Sequence, residues 1–545
     1  MTRKQFILVI VIMTFFSAFV GTSLGLIAQG LRNPVSSSPA NIHEELEFFA
    51  SSLNIILSNY VTNVEVQELI EASVNGMLEE LDPYSVYIDS TEYARLRENT
   101  SGSFGGLGIE IGLRGDQLTV IAPIENTPAE RAGLVSGDII LEIDGESTEG
   151  ITTEEAVQKL RGAPGTDVVI LVLHPGHEQP QEITITREVI SIHSVPFAGI
   201  IPGTNIGYIR LSNFYQNAGE EVEGALDSLI NLGAEKFILD LRGNPGGLLR
   251  EAIDVANNFL PKGATIVKTN GRTGSNRFFA EKQPLCPEQP LILLLNFSSA
   301  SASEIVGGAI QDHDRGLIIG SRSYGKGSVQ SIFPLDRGHL GAIKLTTSRY
   351  YTPSGRLIDA GHTRTRLQRE DNVEIADSGP FTTIGPLTRE VYGGGGIYPD
   401  FLYYSALLSP LETSILSEGL YFTYARDYIL NQPVDLDDIS ISPADYYDFI
   451  TEVQLTDIEV PDTISPFIQD RIIRQLEISI ANAAFGSKGR YIQSLKTDEE
   501  LEIAVNLLQM VEQPLEIFEI ANQHPEWQVI DSTAMAYEDS IRREY

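Results

Sequence analysis

Between Pro196 and Asp400, short and mostly apolar runs alternate with amphipathic stretches, and this alternation constrains the fold more than any other feature of the chain. Ile206–Leu211, Lys236–Leu241, Leu291–Asn296 and Leu317–Gly320 read as strands. Gly219–Leu232, Leu249–Phe259 and Ser303–Gln311 read as helices between them. Strands that are apolar on both faces need cover on both faces, so the pattern predicts an α/β layer with buried strands.

The flanking segments have a different character. From His43 to about Leu96 the apolar spacing is helical, with Asp82-Pro83 ending the second helix because the residue before a proline avoids the α region. Ser101–Arg187 is built of short β segments: Gln117–Ala122 alternates, and Gly137–Ile143 leads into an Asp144-Gly145 hairpin turn. Thr152–Leu160 in the same region reads as a helix with Thr152 as N-cap and Glu155 three residues on. The glycine block Gly393–Gly396 followed by Pro399 marks a boundary, and a largely helical, acidic region including Phe467–Ala484 and Glu499–Val511 follows it.

At the N-terminus Arg3 and Lys4 precede an uncharged, mostly apolar run, Phe6–Ala28, long enough to cross a bilayer core of about 30 Å as a helix. Its length and weak cleavage site favour an uncleaved signal-anchor over a removed signal peptide. The basic flank then predicts a single-pass chain in the cell membrane with its bulk extracytoplasmic, periplasmic or at the cell surface. The Pro- and Ser-rich stretch Asn33–Ala40 reads as a tether.

Charge and cysteine content narrow the chemistry. Among 545 residues, 38 Lys and Arg stand against 74 Asp and Glu, a net charge of −36 that argues against a nucleic-acid partner. The single cysteine, Cys286, excludes an internal disulfide and any Cys-cluster metal site. The eight histidines include no H-E-x-x-H; His174-x-x-His177 flanks a Pro-Gly turn and reads as a hairpin loop, and His313 reads as a helix-end feature. No metal and no cofactor is expected.

The most informative stretch is Asn296-Phe297-Ser298-Ser299-Ala300-Ser301-Ala302-Ser303-Glu304, where an apolar strand runs through small residues into a helix. Ser301 with Glu304 fits a capping box. The same geometry suits a nucleophile, because a hydroxyl at a helix N-terminus lies where backbone N–H groups and the helix dipole favour developing negative charge. A serine needs a base, and the candidate is Lys326 between Gly325 and Gly327. Burial in apolar surroundings would lower its pKa from about 10.4 into a useful range. Gln330, four residues on, is placed to orient the amine. Asp240-Leu241-Arg242-Gly243-Asn244-Pro245-Gly246-Gly247 is a strand ending in a Gly-rich turn, which is either a tight Asx turn or a set of free N–H groups facing an oxyanion.

Three further matches are set aside. Gly21–Gly25 fits G-x-S-x-G but lies inside the apolar run. Ser323–Lys326 fits S-x-x-K, yet Gly325 and Gly327 oppose the helix that motif needs. Gly320–Lys326 approaches a phosphate-binding loop but has Gly327 in place of the metal-binding hydroxyl and leads into a strand.

Taken together these elements resemble the C-terminal processing (tail-specific) serine peptidases. Leu81-Asp82-Pro83-Tyr84-Ser85-Val86-Tyr87-Ile88 is similar to a family motif in which a His is commoner than Tyr84. The Asp240–Gly247 turn, Ser301–Glu304, Tyr324–Gly327, Tyr351-Thr352-Pro353-Ser354-Gly355-Arg356 and Gly394–Asp400 follow in the family's order. The resemblance spans about residues 43–400. It implies an α/β fold with a ClpP/crotonase-like peptidase core and an inserted β-rich PDZ domain. It also implies Ser301 as nucleophile, Lys326 as general base, Gln330 as the residue positioning the lysine, and the N–H groups of Gly247 (or Gly246) and Ala302 as oxyanion hole.

In the same way Gly106-Leu107-Gly108-Ile109 is implied as the PDZ loop that captures a substrate C-terminus, with the adjacent strand pairing to the peptide. Whether that domain activates or blocks the site is left open by the resemblance. The expected layout is an anchor (1–31), a tether (32–42), an N-terminal helical segment (43–100), the PDZ domain (101–190), the peptidase core (191–400) and a mostly helical C-terminal extension (401–545). The expected function is a membrane-anchored serine endopeptidase cutting proteins near their free C-termini, with a homo-oligomer or an adaptor protein left open as further partners. The alternative is a catalytically inert PDZ adaptor that holds C-termini.

Overall fold

The computed structural model describes residues 39–360 and 379–544. The chain divides into two compact units, Met1–Gly76 and Met77–Tyr545. In the first, the described part is the helix Pro39–Asn59 and most of the helix Val66–Glu79.

The expectation of a membrane-spanning, extracytoplasmic chain is corrected here: among the described residues no helix is long and apolar enough to cross a membrane. The two longest helices, Pro39–Asn59 and Pro466–Leu495, carry Glu44, Glu45 and Glu47, and Asp470, Arg471 and Arg474. Ionised groups of this kind cost about 2.5–3.5 kcal/mol each at a bilayer centre. The run Phe6–Ala28 itself lies outside the described residues.

The second unit is organised around a seven-stranded sheet in the order Phe197–Ile200, Ile206–Arg210, Lys236–Asp240, Leu291–Leu295, Leu317–Gly320, Phe401–Tyr404 and Val529–Ile530. All neighbours pair in parallel except the first two strands. Successive side chains point to opposite faces, and both faces are covered. Ile209, Leu239, Leu293 and Ile318 pack with the helices Ala218–Asn231, Leu249–Ala256 and Ala302–Asp312. Tyr208, Ile238, Ile292 and Ile319 face the other way, onto Leu501, Ala504, Leu507, Leu508 and Phe518 from the helices Glu499–Gln509 and Glu516–Gln523. The acidic C-terminal region therefore supplies the second cover that the apolar strands demand.

A second, five-stranded sheet contains Val86–Ile88, Ala342–Tyr351, Thr265–Gly271, Gly274–Phe279 and Ser328–Pro334. Val86–Ile88 pairs antiparallel with Ala342–Lys344, so the segment read as the tail of a helical region contributes a strand instead. Residues 103–191 form a small β domain. Its Thr152 hydroxyl and Glu155 carboxylate make the reciprocal capping box expected of them, and Asp144 (φ 51°) and Gly145 (φ 77°) make the hairpin turn. The helices Pro410–Ser417, Leu420–Asn431, Pro443–Gln454 and Pro466–Leu495 build a separate apolar cluster around Phe449, Ile472, Leu476 and Ile480.

Candidate active site

Three connections leave the C-terminal ends of neighbouring parallel strands, where open α/β sheets place their ligands. They are the turn 241–248, the turn 296–301 and the loop 321–327. The first two are laced together. The Gly243 N–H donates to Asn296 Oδ1 at 2.8 Å, Ser299 Oγ donates to the Leu241 carbonyl at 2.8 Å, and Ala300 N and Ser303 Oγ both donate to the Asn244 carbonyl, at 3.0 and 2.9 Å. Close approach demands a glycine at 246. Its φ is 99°, and a Cβ there would lie 2.7 Å from the Ala300 carbonyl oxygen and 2.8 Å from Ser301 Cβ. The Gly246 N–H is taken up by Asn244 Oδ1 at 2.9 Å. The neighbouring Gly247 is exposed, and among the described residues its N–H has no hydrogen-bond partner.

Ser301 precedes the buried helix Ala302–Asp312 with φ 56° and ψ −109°, a conformation that costs a non-glycine residue about 1–3 kcal/mol. What holds it there is Glu304, whose side chain is fully buried. One oxygen, Oε2, accepts from Ser301 N at 2.7 Å and from Lys326 N at 3.0 Å. The other, Oε1, accepts from Ser323 Oγ at 2.6 Å and from Gly325 N at 2.7 Å. One carboxylate thus ties the backbone of Ser301 to the backbone of Lys326. Burial raises the Glu304 pKa, and the four donors oppose that shift.

Ser301, Ala302, Lys326, Gln330, Gly246 and Gly247 all line one cleft of about 790 Å3, whose apolar wall includes Phe214, Ile253 and Phe278. The Lys326 amine lies 4.8 Å from the centre of the Tyr84 ring and makes no ion pair among the described residues. Its pKa is lowered, first by burial and then by repulsion from Lys344, against a smaller pull from the Glu304 charge. The Tyr350 hydroxyl donates to the Lys326 carbonyl; burial raises its pKa well above the usual value, against a smaller opposing effect of the Ser301 side chain. Gln330 Nε2 donates to Ser328 Oγ at 2.8 Å and to Thr346 Oγ1 at 3.4 Å. Thr346 Oγ1 in turn donates to Asp82 Oδ1 at 3.1 Å, which seats the Asp82–Ser85 turn, and with it Tyr84, beside the lysine.

Glu304 was legible only as a helix cap, and Lys344 and Tyr350 lie on a strand that no short-range pattern announced. Gly106, Leu107, Gly108 and Ile109 do not line this cleft. They open the small β domain, where the Leu107 and Gly108 carbonyls accept from Ala129 N at 2.9 Å and Ile124 N at 2.8 Å. A trans peptide points its N–H away from its carbonyl, so the N–H groups of Gly108 and Ile109 face away from those partners. His174, set aside as a metal ligand, pairs with the buried Asp138 at 2.7 Å, and His313 is the C-cap of its helix, with Nε2 hydrogen-bonded to the carbonyl of Thr265 on a neighbouring strand at 2.8 Å. Among the described residues no group of three or more His, Cys, Asp or Glu is arranged to hold a metal ion.

The profile of peptidase family S41 matches residues 205–365, that of the PDZ domain residues 119–173, and that of the activating protease CtpB N-terminal domain residues 25–92. The chain is 42% identical over 352 residues to a carboxy-terminal-processing protease of Bartonella bacilliformis, covering 63% of this chain and 79% of the relative. It is 31% identical over 360 residues to the carboxy-terminal processing protease CtpA of Bacillus subtilis, covering 66% and 76%. Among solved structures it is similar to the photosystem II D1 C-terminal processing protease, at 28% identity and a TM-score of 0.33 over 56% of this chain and 83% of that one. The chain belongs to the carboxy-terminal-processing proteases, serine peptidases of family S41 that carry a PDZ domain.

Proposed function

We propose that the chain hydrolyses peptide bonds near protein C-termini with a Ser301–Lys326 dyad. Ser301 Oγ attacks the scissile carbonyl while the neutral Lys326 amine takes its proton and returns it to the leaving amine. Water then releases the acyl-enzyme by the same route. Gly247 N–H and Ala302 N–H receive the oxyanion. The choice of Gly247 over Gly246 is supported by the Asn244 side chain, which already occupies the Gly246 N–H. Gln330 orients the amine from its seat on Ser328 and Thr346. The loop Gly106–Ile109 binds the substrate carboxylate through backbone N–H groups, and the following strand pairs with the peptide.

The observation that carries this reading is Glu304, which fixes the backbones of residues 301 and 326 against each other at one mouth of one cleft. In its favour too, the lysine is held with a lowered pKa and, among the described residues, in no ion pair with a carboxylate. No observation favours the inert adaptor. The test is cleavage of a peptide with a free apolar C-terminus: Ser301→Ala and Lys326→Ala each abolish turnover while thermal unfolding is kept. Turnover undiminished in either variant removes the dyad.

A further inference from the structure

The residues beyond the S41 match contribute more than cover for the sheet. At the end of the strand Lys236–Asp240, Asp240 is buried and bound by Tyr208 Oη at 2.7 Å and Arg210 Nη1 at 2.7 Å. Arg242, two residues on, closes onto the same carboxylate through its backbone N–H at 2.9 Å and its Nη2 at 2.6 Å, and its carbonyl accepts from Arg210. The outer edge of the Arg242 guanidinium has its other partners far along the chain. Asp498 takes Nη2 at 2.6 Å and Nη1 at 3.2 Å, and Glu500 takes Nη1 at 2.9 Å. The Asp498 and Glu500 side chains are 21% and 8% exposed, so water is a poor substitute for either. Burial pushes the Glu500 carboxyl up to about 7, against the pull of Arg242.

Directly after Arg242 comes the turn whose Gly246 abuts Ala300 and Ser301 and whose Gly247 N–H is unpartnered. We infer that Asp498 and Glu500 are positioning residues of the active site, which act through Arg242 to hold the 241–247 turn, and with it the Gly247 N–H, in register with Ser301. The inference rests on the reading in which that N–H receives the oxyanion. A bidentate guanidinium–carboxylate pair has a fixed planar geometry, and removing the outer carboxylates leaves Arg242 buried with one edge unpaired. The turn is then free to tilt, and catalysis by preorganised donors is lost with small displacements.

The test uses the full chain carrying Asp498→Asn with Glu500→Gln. Both changes keep volume, and an asparagine can still accept the Leu501 N–H that Asp498 caps at 3.0 Å. Turnover of a peptide with a free apolar C-terminus is measured beside inhibition by a peptide boronic acid, whose tetrahedral adduct with Ser301 puts an oxygen at the oxyanion position. The expected result is a kcat at least tenfold lower, a KM within twofold, and a boronate inhibition constant raised by about the factor by which kcat/KM falls. A KM effect alone, or kcat and boronate inhibition both within twofold of the parent, overturns the inference. If the double variant does not fold, the two single variants are judged by the same criteria. Ser301→Ala is run alongside: turnover surviving there overturns the underlying dyad, whereas a dead Ser301→Ala beside fully active carboxylate variants overturns this inference alone.

Discussion

Replacing Glu304 by glutamine tests how far one buried carboxylate organises the site. Its four donors, at 2.6–3.0 Å, are three backbone N–H groups and one hydroxyl. A glutamine keeps one accepting oxygen and turns the other position into a donor. With the NH2 in the Oε2 position, the N–H groups of Ser301 and Lys326 both lose their partner. With it in the Oε1 position, the buried Ser323 hydroxyl, which already accepts from Ile397 N, can turn and accept from the NH2 as well, so its own proton and the Gly325 N–H lose their acceptor. The second arrangement is the cheaper. It leaves two buried donors unpaired, at about 1–3 kcal/mol each, and weakens the two bonds to Ser301 and Lys326 by about 1 kcal/mol each as charge assistance is lost. The relief of carboxylate burial, the same burial that raises the Glu304 pKa, offsets part of this. The expected net loss is about 3–6 kcal/mol in urea unfolding.

Catalysis is expected to suffer as well, because the released Gly325 amide sits one residue before Lys326. A misplacement of about 1 Å costs on the order of 100-fold in rate. Glu304→Gln is therefore expected to lower kcat by about 10- to 100-fold with KM little changed, measured on the same peptide. A folded Glu304→Gln enzyme with kcat within twofold of the parent refutes the argument.

With the proposed dyad, activity is expected to rise with pH through the lowered Lys326 pKa, since only a neutral amine can accept the Ser301 proton, and a kcat/KM profile that is flat or falls there contradicts it. Lys344→Ala removes a repulsion that favours the neutral form, so the rising limb of the kcat/KM profile moves to higher pH; an unmoved or lower limb contradicts the assignment. Gly246→Ala sets a Cβ against the Ala300 carbonyl and Ser301 at a φ of 99°, and is expected to lose about 3 kcal/mol of stability and most of the activity, read by thermal unfolding and peptide turnover. Asp312, at the far end of the helix that Ser301 opens, is paired with the fully buried Arg356, and Asp312→Asn is expected to cost about 3–5 kcal/mol in chemical denaturation by leaving that guanidinium charge uncompensated.

Much of the core was readable without coordinates, for a local reason. A buried parallel strand is a short apolar run and an amphipathic helix is a periodic one, so Lys236–Asp240, Leu291–Leu295 and the helix after Ser301 are written in contiguous residues. Capping is local too, which is why Thr152 with Glu155 could be paired on sight. The strands Thr265–Gly271 and Ala342–Tyr351 escaped because half-exposed strands of a twisted second sheet carry no strong alternation. Val86–Ile88 escaped because three residues are too few to show a period at all.

By itself, then, the order of residues determined the α/β layering, the small β domain, and the candidate hydroxyl, amine and glycine turn that prove to line one cleft. Each of those follows from spacing within about a dozen residues or from an ordered set of motifs. Tertiary structure alone decided that Glu304 spans from residue 301 to residue 326, that Lys344 and burial depress the lysine, and that the chain after Asp400 closes the open face of the sheet and reaches back to Arg242. Those include contacts between residues 258 positions apart, made through burial and charge pairing, and no local spacing encodes them.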